Sequence, residues 1–305
     1  MTDLGTFPGD TGSGAGAIND RGQIVGNSFP ADGGDRAVMW DHGTVIDLGS
    51  LPGATVTSPQ AINAEGEVVG TSGDGSSNNR LFLWADGKMT DLGPAGGGEV
   101  IYLNDHGQIA LSAPVADGSI HTFFWDRGQL SELTPLPGEV FSQPTGLNDR
   151  GDVIGDSYDG TLEHAVLWRD GHPIDLGTLG IAGSVTFAIN DRGQVAGGSF
   201  NTAAGLGQGF LWQNGTLTPF GPLGTGRSIS PGTINATGDI IGFGPTTTGR
   251  NPRQAFVWHR GTLLNLGTLG GTGSFARAVN NEGAIVGQAQ TSTGRFDGVL
   301  WTVDW

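Results

Sequence analysis

The sequence predicts an all-β fold, a single seven-bladed β-propeller with four antiparallel strands per blade, from a segment that returns seven times at a nearly constant spacing. The segment first occurs as AINDRGQIVG, from Ala17 to Gly26. The asparagine of each copy follows the previous one by 44, 41, 44, 42, 45 and 45 residues, the period of four-stranded propeller blades. The seven periods fill residues 1–305, so a single domain is expected. The asparagines that mark the copies are Asn19, Asn63, Asn104, Asn148, Asn190, Asn235 and Asn280.

Each period contains four short apolar runs separated by glycine-containing turns, which is the pattern of an all-β chain. In the first period, the first strand is expected to end with the apolar pair Ala17 and Ile18. The second strand is expected from Gln23 to Gly26, after the turn glycine. The third is expected from Arg36 to Trp40, and the fourth from Val45 to Leu48.

Two of the four connections in each period are tight turns, and the other two are loops of variable length. Asn-Asp-Arg-Gly at 19–22 and Trp-Asp-His-Gly at 40–43 suit tight turns, with glycine where the backbone needs a positive φ. Alternate connections of a meander lie on the same side of the sheet. The sequence therefore predicts a tight-turn end and a variable-loop end for each blade, with function at the variable-loop end.

The two ends of the chain complement each other. Met1–Gly5 reads MTDLG, and the same letters recur at Met89–Gly93 after a strand that ends in tryptophan. The chain ends in such a strand, LWTVDW from Leu300 to Trp305, with no DLG strand after it. We therefore expect the N-terminal strand to close the last blade, which would remove a free sheet edge.

Charge and composition argue against several partners. The formal net charge is −16 and Lys88 is the only lysine, whereas nucleic acids and anionic membranes require a basic surface. The chain has no cysteine, so disulfides, thiolate catalysis and cysteine-bound zinc are excluded. No apolar run is long enough for a membrane span, and MTDLGTFPGD is not a signal peptide. We expect a soluble, acidic, cytoplasmic monomer without a cofactor, or a secreted protein if a leader has been removed.

The strand order resembles that of WD-repeat propellers, whose third strand also ends in tryptophan. The repeat itself resembles the HAF family of probable extracellular repeats, through HAVLW at His164–Trp168, QAFVW at Gln254–Trp258, DLGTLG at Asp175–Gly180 and NLGTLGG at Asn265–Gly271. This resemblance covers all seven repeats and implies a repeat type, without a settled activity. The leading histidine of the family remains only as His121 and His164, and the replacements are Arg36, Arg80, Gln208, Gln254 and Asp297.

Residues that recur in every blade are interpreted as scaffold. Burying one indole removes about 200 Å² from water, worth up to about 5 kcal/mol before entropy is subtracted. The tryptophans are therefore expected to hold neighbouring blades together rather than to bind ligand. A calcium site in the Asn-Asp-x-Gly turns is disfavoured, because Ala64 and Ala236 replace the aspartate and calcium needs six to eight oxygens. No metal is expected. The recurring tryptophans are Trp40, Trp84, Trp125, Trp168, Trp212, Trp258 and Trp301.

Function is expected where a blade departs from the repeat, and blades three and four depart most. Glu99, Tyr102, His121 and His164 supply a carboxylate, a phenol and two imidazoles, the groups that general acid–base catalysis uses. Tyr158 and Asp159 lie in the adjoining loop and are candidate ligand-binding residues. A structural role for His121 and His164 is the alternative, because both occupy the repeat's own histidine position.

Arginines in the later blades form a second candidate group, suited to an anionic or carboxylate-bearing ligand. The alternative is that they are solvated or paired with aspartates such as Asp32, Asp35 or Asp297. The arginines are Arg227, Arg250, Arg253, Arg277 and Arg295, of which the first four are the ligand-binding candidates.

Three functions remain open at this point. The first is binding of a small organic molecule or glycan at the channel mouth on the variable-loop face. The second is a cofactor-independent lyase, isomerase or cyclase that uses the acid–base residues at the same mouth. The third is a protein-interaction platform, which would need a large apolar or charged patch. The sequence contains no GxSxG, HExxH or P-loop motif that would favour one of them.

Overall fold

The chain forms seven antiparallel sheets of consecutive strands, as a computed structural model describes it for residues 3–75, 79–94, 101–201, 206–224, 228–246 and 252–303. Six sheets have four strands and the seventh has three within these ranges. Within each sheet, each strand pairs with the next one along the chain. The fold is an all-β, seven-bladed β-propeller, as the repeat predicts. The described residues contain no helix that could span a membrane.

The chain divides into two compact units, and blades one to three lie in the first, Met1–Thr134. The single domain expected from the repeat remains a prediction. The sheets of this unit contain β1 (Asp10–Ile18), β2 (Ile24–Pro30), β3 (Arg36–Asp41) and β4 (Thr44–Asp47); β5 (Val56–Ile62), β6 (Val68–Gly73), β7 (Arg80–Ala85) and β8 (Lys88–Pro94); β9 (Ile101–Leu103), β10 (Ile109–Pro114), β11 (Ile120–Asp126) and β12 (Gln129–Leu133).

Blades four to seven lie in the second unit, Pro135–Trp305. Its sheets contain β13 (Phe141–Leu147), β14 (Val153–Tyr158), β15 (Glu163–Arg169) and β16 (His172–Asp175); β17 (Gly183–Ile189), β18 (Val195–Asn201), β19 (Leu206–Gln213) and β20 (Thr216–Phe220); β21 (Ser230–Ile234), β22 (Ile240–Pro245), β23 (Arg253–His259) and β24 (Thr262–Asn265); β25 (Gly270–Val279), β26 (Ala284–Thr291) and β27 (Phe296–Thr302).

The repeated asparagine makes the first turn of each blade. In blade four, Asn148 Oδ1 accepts hydrogen bonds from the backbone N–H groups of Arg150 and Asp152, at 3.1 and 2.9 Å. The N–H of Gly151 donates to the Asn148 carbonyl at 3.1 Å, and Gly151 has a φ of 76°. Such a φ strains any residue with a Cβ, so the glycine is required there. The turn chemistry predicted from the sequence is confirmed.

The same asparagines also connect neighbouring blades. The Nδ2 group of Asn190 donates to the backbone carbonyl of Asn235, the corresponding residue of the next blade, at 2.9 Å. This bond recurs in both units, with lengths of 2.8 to 3.0 Å, in the pairs Asn19 to Asn63, Asn63 to Asn104, Asn148 to Asn190, Asn190 to Asn235 and Asn235 to Asn280.

Apolar side chains fill the space between successive sheets. One cluster joins Ile154 and Leu167 of blade four to Val195 and Phe210 of blade five, and all four are fully buried. Trp168 is 1% exposed, as the scaffold role predicts. The tryptophans of the other blades vary: Trp40, Trp212 and Trp258 are buried, and Trp84, Trp125 and Trp301 are half-buried.

The seventh sheet contains β25, β26 and β27 within the described residues, where the sequence predicts a fourth strand from Met1–Gly5. Met1 and Thr2 lie outside the described residues, and Asp3–Gly5 forms no strand. The Gly5 carbonyl accepts hydrogen bonds from Ser13 Oγ at 2.8 Å and Trp40 Nε1 at 3.2 Å, both in the first blade. Closure of the last blade by this segment therefore remains a prediction.

Candidate functional site

In blades one, two, three and six, the histidine position of the repeat holds a side chain that bonds to the fourth strand of its own blade. Its partner lies eleven residues further along the chain. His121 Nδ1 lies 2.6 Å from Glu132 Oε1, and Gln254 Oε1 accepts a hydrogen bond from Asn265 Nδ2 at 2.6 Å. Arginine fills the same role in blades one and two, in the pairs Arg36–Asp47 and Arg80–Asp91. Because four pairs of three different chemistries occupy one place, the structure favours the scaffold role for His121.

We expect His121→Gln to leave the protein nearly unchanged, because the Gln254–Asn265 pair performs the same task with amides. The free energy of unfolding should change by less than about 0.5 kcal/mol, because Glu132 is exposed and the amide keeps a hydrogen bond in the same place. Thermal unfolding measures this, with Gln254→Ala as the control that removes the amide partner of Asn265. A loss of several kcal/mol in His121→Gln would contradict the scaffold role.

His164 departs from this arrangement. Its Nδ1 bonds to Glu139 Oε1 in the loop before β13, rather than to Asp175, eleven residues further along. The Glu139 side chain is 7% exposed, and its Oε2 is buried without a hydrogen-bond partner. His164 therefore holds a buried carboxylate in place at the variable-loop end of blade four.

The predicted acid–base residues of blade three do not converge. Tyr102 on β9 pairs with Ala110, and His121 on β11 pairs with Ala113. These positions are three residues apart along β10, roughly 10 Å, and side chains alternate between faces. Tyr102 and His121 thus lie on opposite faces of the sheet, which does not support their acting as one acid–base pair. Glu99 lies outside the described residues.

The Asp159 carboxylate makes its hydrogen bonds within its own loop. Its Oδ1 accepts hydrogen bonds from the Thr161 hydroxyl and from the N–H groups of Thr161 and Leu162, at 2.6 to 2.9 Å. The Thr161 hydroxyl is the main cause that lowers the pKa of Asp159 to about 2. This exposed carboxylate shapes the turn between β14 and β15, and its predicted ligand-binding role gains no support.

The described arginines do not form one anion site. The Arg253 guanidinium lies over the Phe243 ring, 5.6 Å from its centroid, and Arg295 pairs with Asp297 at 2.8 Å. Arg277 is exposed and is the extra residue of a β-bulge in β25. Gly273 lies beside the backbone of Arg253. Arg277 is four residues further along the same strand, roughly 13 Å away, so the backbones of Arg253 and Arg277 are not adjacent. Arg227 and Arg250 lie outside the described residues.

Tyr158 lines a cavity of about 270 Å³ with Phe141, Gln143, Asp156 and Glu163, which we call the blade-four cavity. Phe141 pairs with Tyr158, Gln143 with Asp156, and Tyr158 with Glu163, so the five side chains lie on one face of the sheet. They stand at the start of β13, the end of β14 and the start of β15. This is the variable-loop end, where the sequence predicts function. His164 pairs with Ser157 and lies on the opposite face.

Asp156 is the central polar group of this cavity. It is 8% exposed, and its Oδ1 accepts hydrogen bonds from the N–H and hydroxyl of Thr186 on β17, at 2.8 and 3.2 Å. Burial raises the pKa of the Asp156 carboxyl to about 7, and the charge of Glu163 acts in the same direction against the hydrogen bonds from Thr186. The carboxyl therefore exchanges its proton near neutral pH.

The repeat itself contained a signal for Asp156 and Glu163 that the sequence analysis missed. Eight residues after the repeated asparagine, blade four has Asp156, and five residues before the tryptophan it has Glu163. No other blade combines carboxylates at these two places. The counterparts of Asp156 are Asn27, Thr71, Ser112, Gly198, Phe243 and Gln288, and those of Glu163 are Asp35, Asn79, Ile120, Gly207, Arg253 and Phe296.

A larger cavity of about 390 Å³ lies at the tight-turn end between blades one and two. Three of its four acidic side chains have partners: Asp41 accepts from Gln23, Glu65 pairs with Arg21, and Glu67 accepts from Asn63, while the fourth, Asp86, is exposed. These bonds hold the turns together, which makes the blade-four cavity the better candidate for a ligand.

The architecture makes the chain a member of the class of seven-bladed β-propellers. It is similar to the β-propeller domain of the Trilobed protease from Pyrococcus furiosus, with 9% identity, a TM-score of 0.60 and 96% of each chain covered. It is also similar to dipeptidyl peptidase 4 from Porphyromonas gingivalis (9%, TM-score 0.62, 93% of this chain and 50% of that one). Virginiamycin B lyase from Staphylococcus aureus is a third (15%, TM-score 0.52, 95% and 94%).

At these identities the similarity extends to the fold alone. The chain spans about half the length of four similar peptidases, dipeptidyl peptidase 4 among them, with 50% to 52% of each covered. No protein-family model and no curated protein matches the sequence. The resemblance to HAF repeats therefore remains a prediction.

Proposed function

We propose that the protein is a small-molecule-binding β-propeller whose ligand occupies the blade-four cavity. The observation that carries this proposal is a buried carboxyl, Asp156, that lines a cavity at the variable-loop end of the blade. Pockets for small molecules combine apolar and aromatic walls with a few polar groups. Phe141 and Tyr158 supply the walls here, and Gln143, Asp156 and Glu163 supply the polar groups. The sequence predicts a site at the channel mouth. We propose instead that the ligand binds on the face of blade four that contacts β17.

The test is a screen of neutral, cationic and anionic fragments, including monosaccharides, by ligand-observed NMR. We expect hits whose binding weakens at least fivefold in Tyr158→Ala, because that change removes one aromatic wall of the cavity. Tyr102→Ala is the matched control, since it removes the chain's other tyrosine from a blade without this cavity. Hits that respond equally to both changes, or an absence of hits, would contradict the proposal.

A second candidate function is acid–base catalysis at the same cavity, and the observation that favours it is the buried Asp156 carboxyl beside Tyr158, where burial raises the pKa of Asp156 to about 7. A general acid or base works best when its pKa lies near the working pH. This version of the enzyme hypothesis uses Asp156 and Tyr158 in place of Tyr102 and His121. It expects a bound fragment to be converted over time in the NMR sample, with the conversion abolished in Asp156→Asn. Hits that remain unchanged on prolonged incubation would leave binding as the function.

A further inference from the structure

We infer that the ligand of the blade-four cavity is an organic cation, an amine whose charged head meets Asp156 and Glu163 while its apolar part lies against Phe141 and Tyr158. This inference rests on the proposed function and adds the chemical class of the ligand. It follows from a comparison of Asp156 with the other buried carboxylates of the chain.

Buried carboxylates elsewhere in the described residues have a basic partner. Asp152 contacts Arg150 and Arg169, the latter at 2.9 Å, and it is 4% exposed. Burial acts to raise its pKa, but hydrogen bonds from the two arginines outweigh burial and lower it. Three more buried carboxylates have such a partner, in the pairs Asp10–Arg36, Glu139–His164 and Asp239–His259.

Asp156 is the exception within the part of the chain that the structure describes. Both hydrogen bonds that it accepts come from Thr186 and end on Oδ1, and no arginine, lysine or histidine pairs with it. Glu163, the second carboxylate of the cavity, likewise has no ion pair among these residues. A buried carboxylate without a basic partner is costly. A cationic ligand supplies the partner that the other buried carboxylates obtain from the chain itself.

The walls of the cavity suit an ammonium group better than they suit the alternatives. An aromatic face attracts a cation through its quadrupole, and two such rings, Phe141 and Tyr158, line the cavity. The Gln143 amide adds a neutral acceptor. An anion would meet two carboxylates. A metal ion is disfavoured because the described residues contain no group of three or more metal-ligating side chains.

Binding of the cation is coupled to the release of a proton from the Asp156 carboxyl. The pKa of Asp156 is raised to about 7, so at pH 7 the group is about half protonated, and the cation favours the ionised form. The other titratable groups that face Asp156 are Glu163 and Tyr158 of the same sheet. Strand β17, which packs against Asp156, contains no titratable residue. Between pH 6 and pH 8 the ionised fraction rises about tenfold, and the affinity for an amine is expected to follow.

The test is isothermal calorimetry of the full chain with benzylamine and with benzyl alcohol, which has the same ring and no charge. We expect benzylamine to bind at least tenfold more tightly than the alcohol, and about tenfold more tightly at pH 8 than at pH 6. At pH 7, its heat of binding should depend on the buffer and report release of about half a proton. Asp156→Asn keeps an acceptor for Thr186 but has no charge. It should lose at least tenfold in benzylamine affinity and all of the pH dependence.

Glu163→Gln is the second variant, and it should weaken benzylamine severalfold while the pH dependence remains. Benzylamine that fails to bind, or binds no better than benzyl alcohol, would overturn the inference of a cation. If neutral fragments still occupy the cavity and respond to Tyr158→Ala, the proposed function stands without it. If neither amines nor fragments occupy the cavity, both proposals are wrong.

Discussion

Asn190→Ala is expected to lower the free energy of unfolding by about 3 kcal/mol. The alanine leaves the backbone N–H groups of Arg192 and Gln194 without the Oδ1 acceptor, and the second of these lies in a buried residue. It also removes the Nδ2 donor from Gln194 Oε1 and from the Asn235 carbonyl, although this carbonyl keeps the hydrogen bond from the Gly238 N–H at 3.1 Å. Each buried polar group without a partner costs about 1–3 kcal/mol, and partial access to water reduces the sum. Urea unfolding followed by tryptophan fluorescence measures the change.

Asn280→Ala is the matched control, because Asn280 accepts the same two turn bonds, from Glu282 and Ala284, in an exposed position. Within the described residues its side chain makes no bond to another blade. We expect this variant to lose about 1 kcal/mol, the usual contribution of a turn or cap. The difference between Asn190→Ala and Asn280→Ala measures the two bonds from Nδ2, to the Asn235 carbonyl of the next blade and to Gln194 Oε1, together with the deeper burial of Asn190. Equal losses in the two variants would assign the whole effect to the turn.

The repeat predicted the blade scaffold well, because its features depend on local chemistry. An Asn-Asp-Arg-Gly turn bonds to itself whatever surrounds it, and the predicted third strand, Arg36–Trp40, differs from the observed β3 by a single residue. The contact from Asn190 to Asn235 could not be predicted in the same way. It joins residues 45 positions apart, and their proximity follows only from the packing of one sheet on the next.

The candidate site was predicted only in part, and the reason is again physical. Blade four, the variable-loop end and Tyr158 were identified as departures from the repeat. His121 was singled out for its chemistry, but a carboxylate eleven residues away holds it in a scaffold pair. Asp156 was overlooked because aspartate is common in this acidic chain. What sets it apart is burial without a basic partner, and burial depends on β17 packing over its face.

The second large effect is expected at Asp156, whose replacement by asparagine should stabilise the protein increasingly as the pH rises from 5 to 8. The folded-state pKa of about 7 lies above the ordinary value of 3.8. The folded state therefore favours the neutral carboxyl, and this contribution to stability is complete below about pH 4 and is lost as the pH rises through 7. A shift of this size corresponds to about 4 kcal/mol at most.

The amide that Asp156→Asn introduces is neutral at every pH and preserves an acceptor for both bonds from Thr186, so the substitution removes only the cost of ionisation. The difference in urea midpoint between this variant and the wild type, measured from pH 5 to pH 8, isolates that cost together with the repulsion from Glu163, since the remaining titrating groups cancel. Asp159→Asn is the control: the pKa of Asp159 is lowered to about 2, so its effect is constant over the same range. A difference for Asp156→Asn that does not grow with pH would mean that water or a counter-ion already relieves the buried charge.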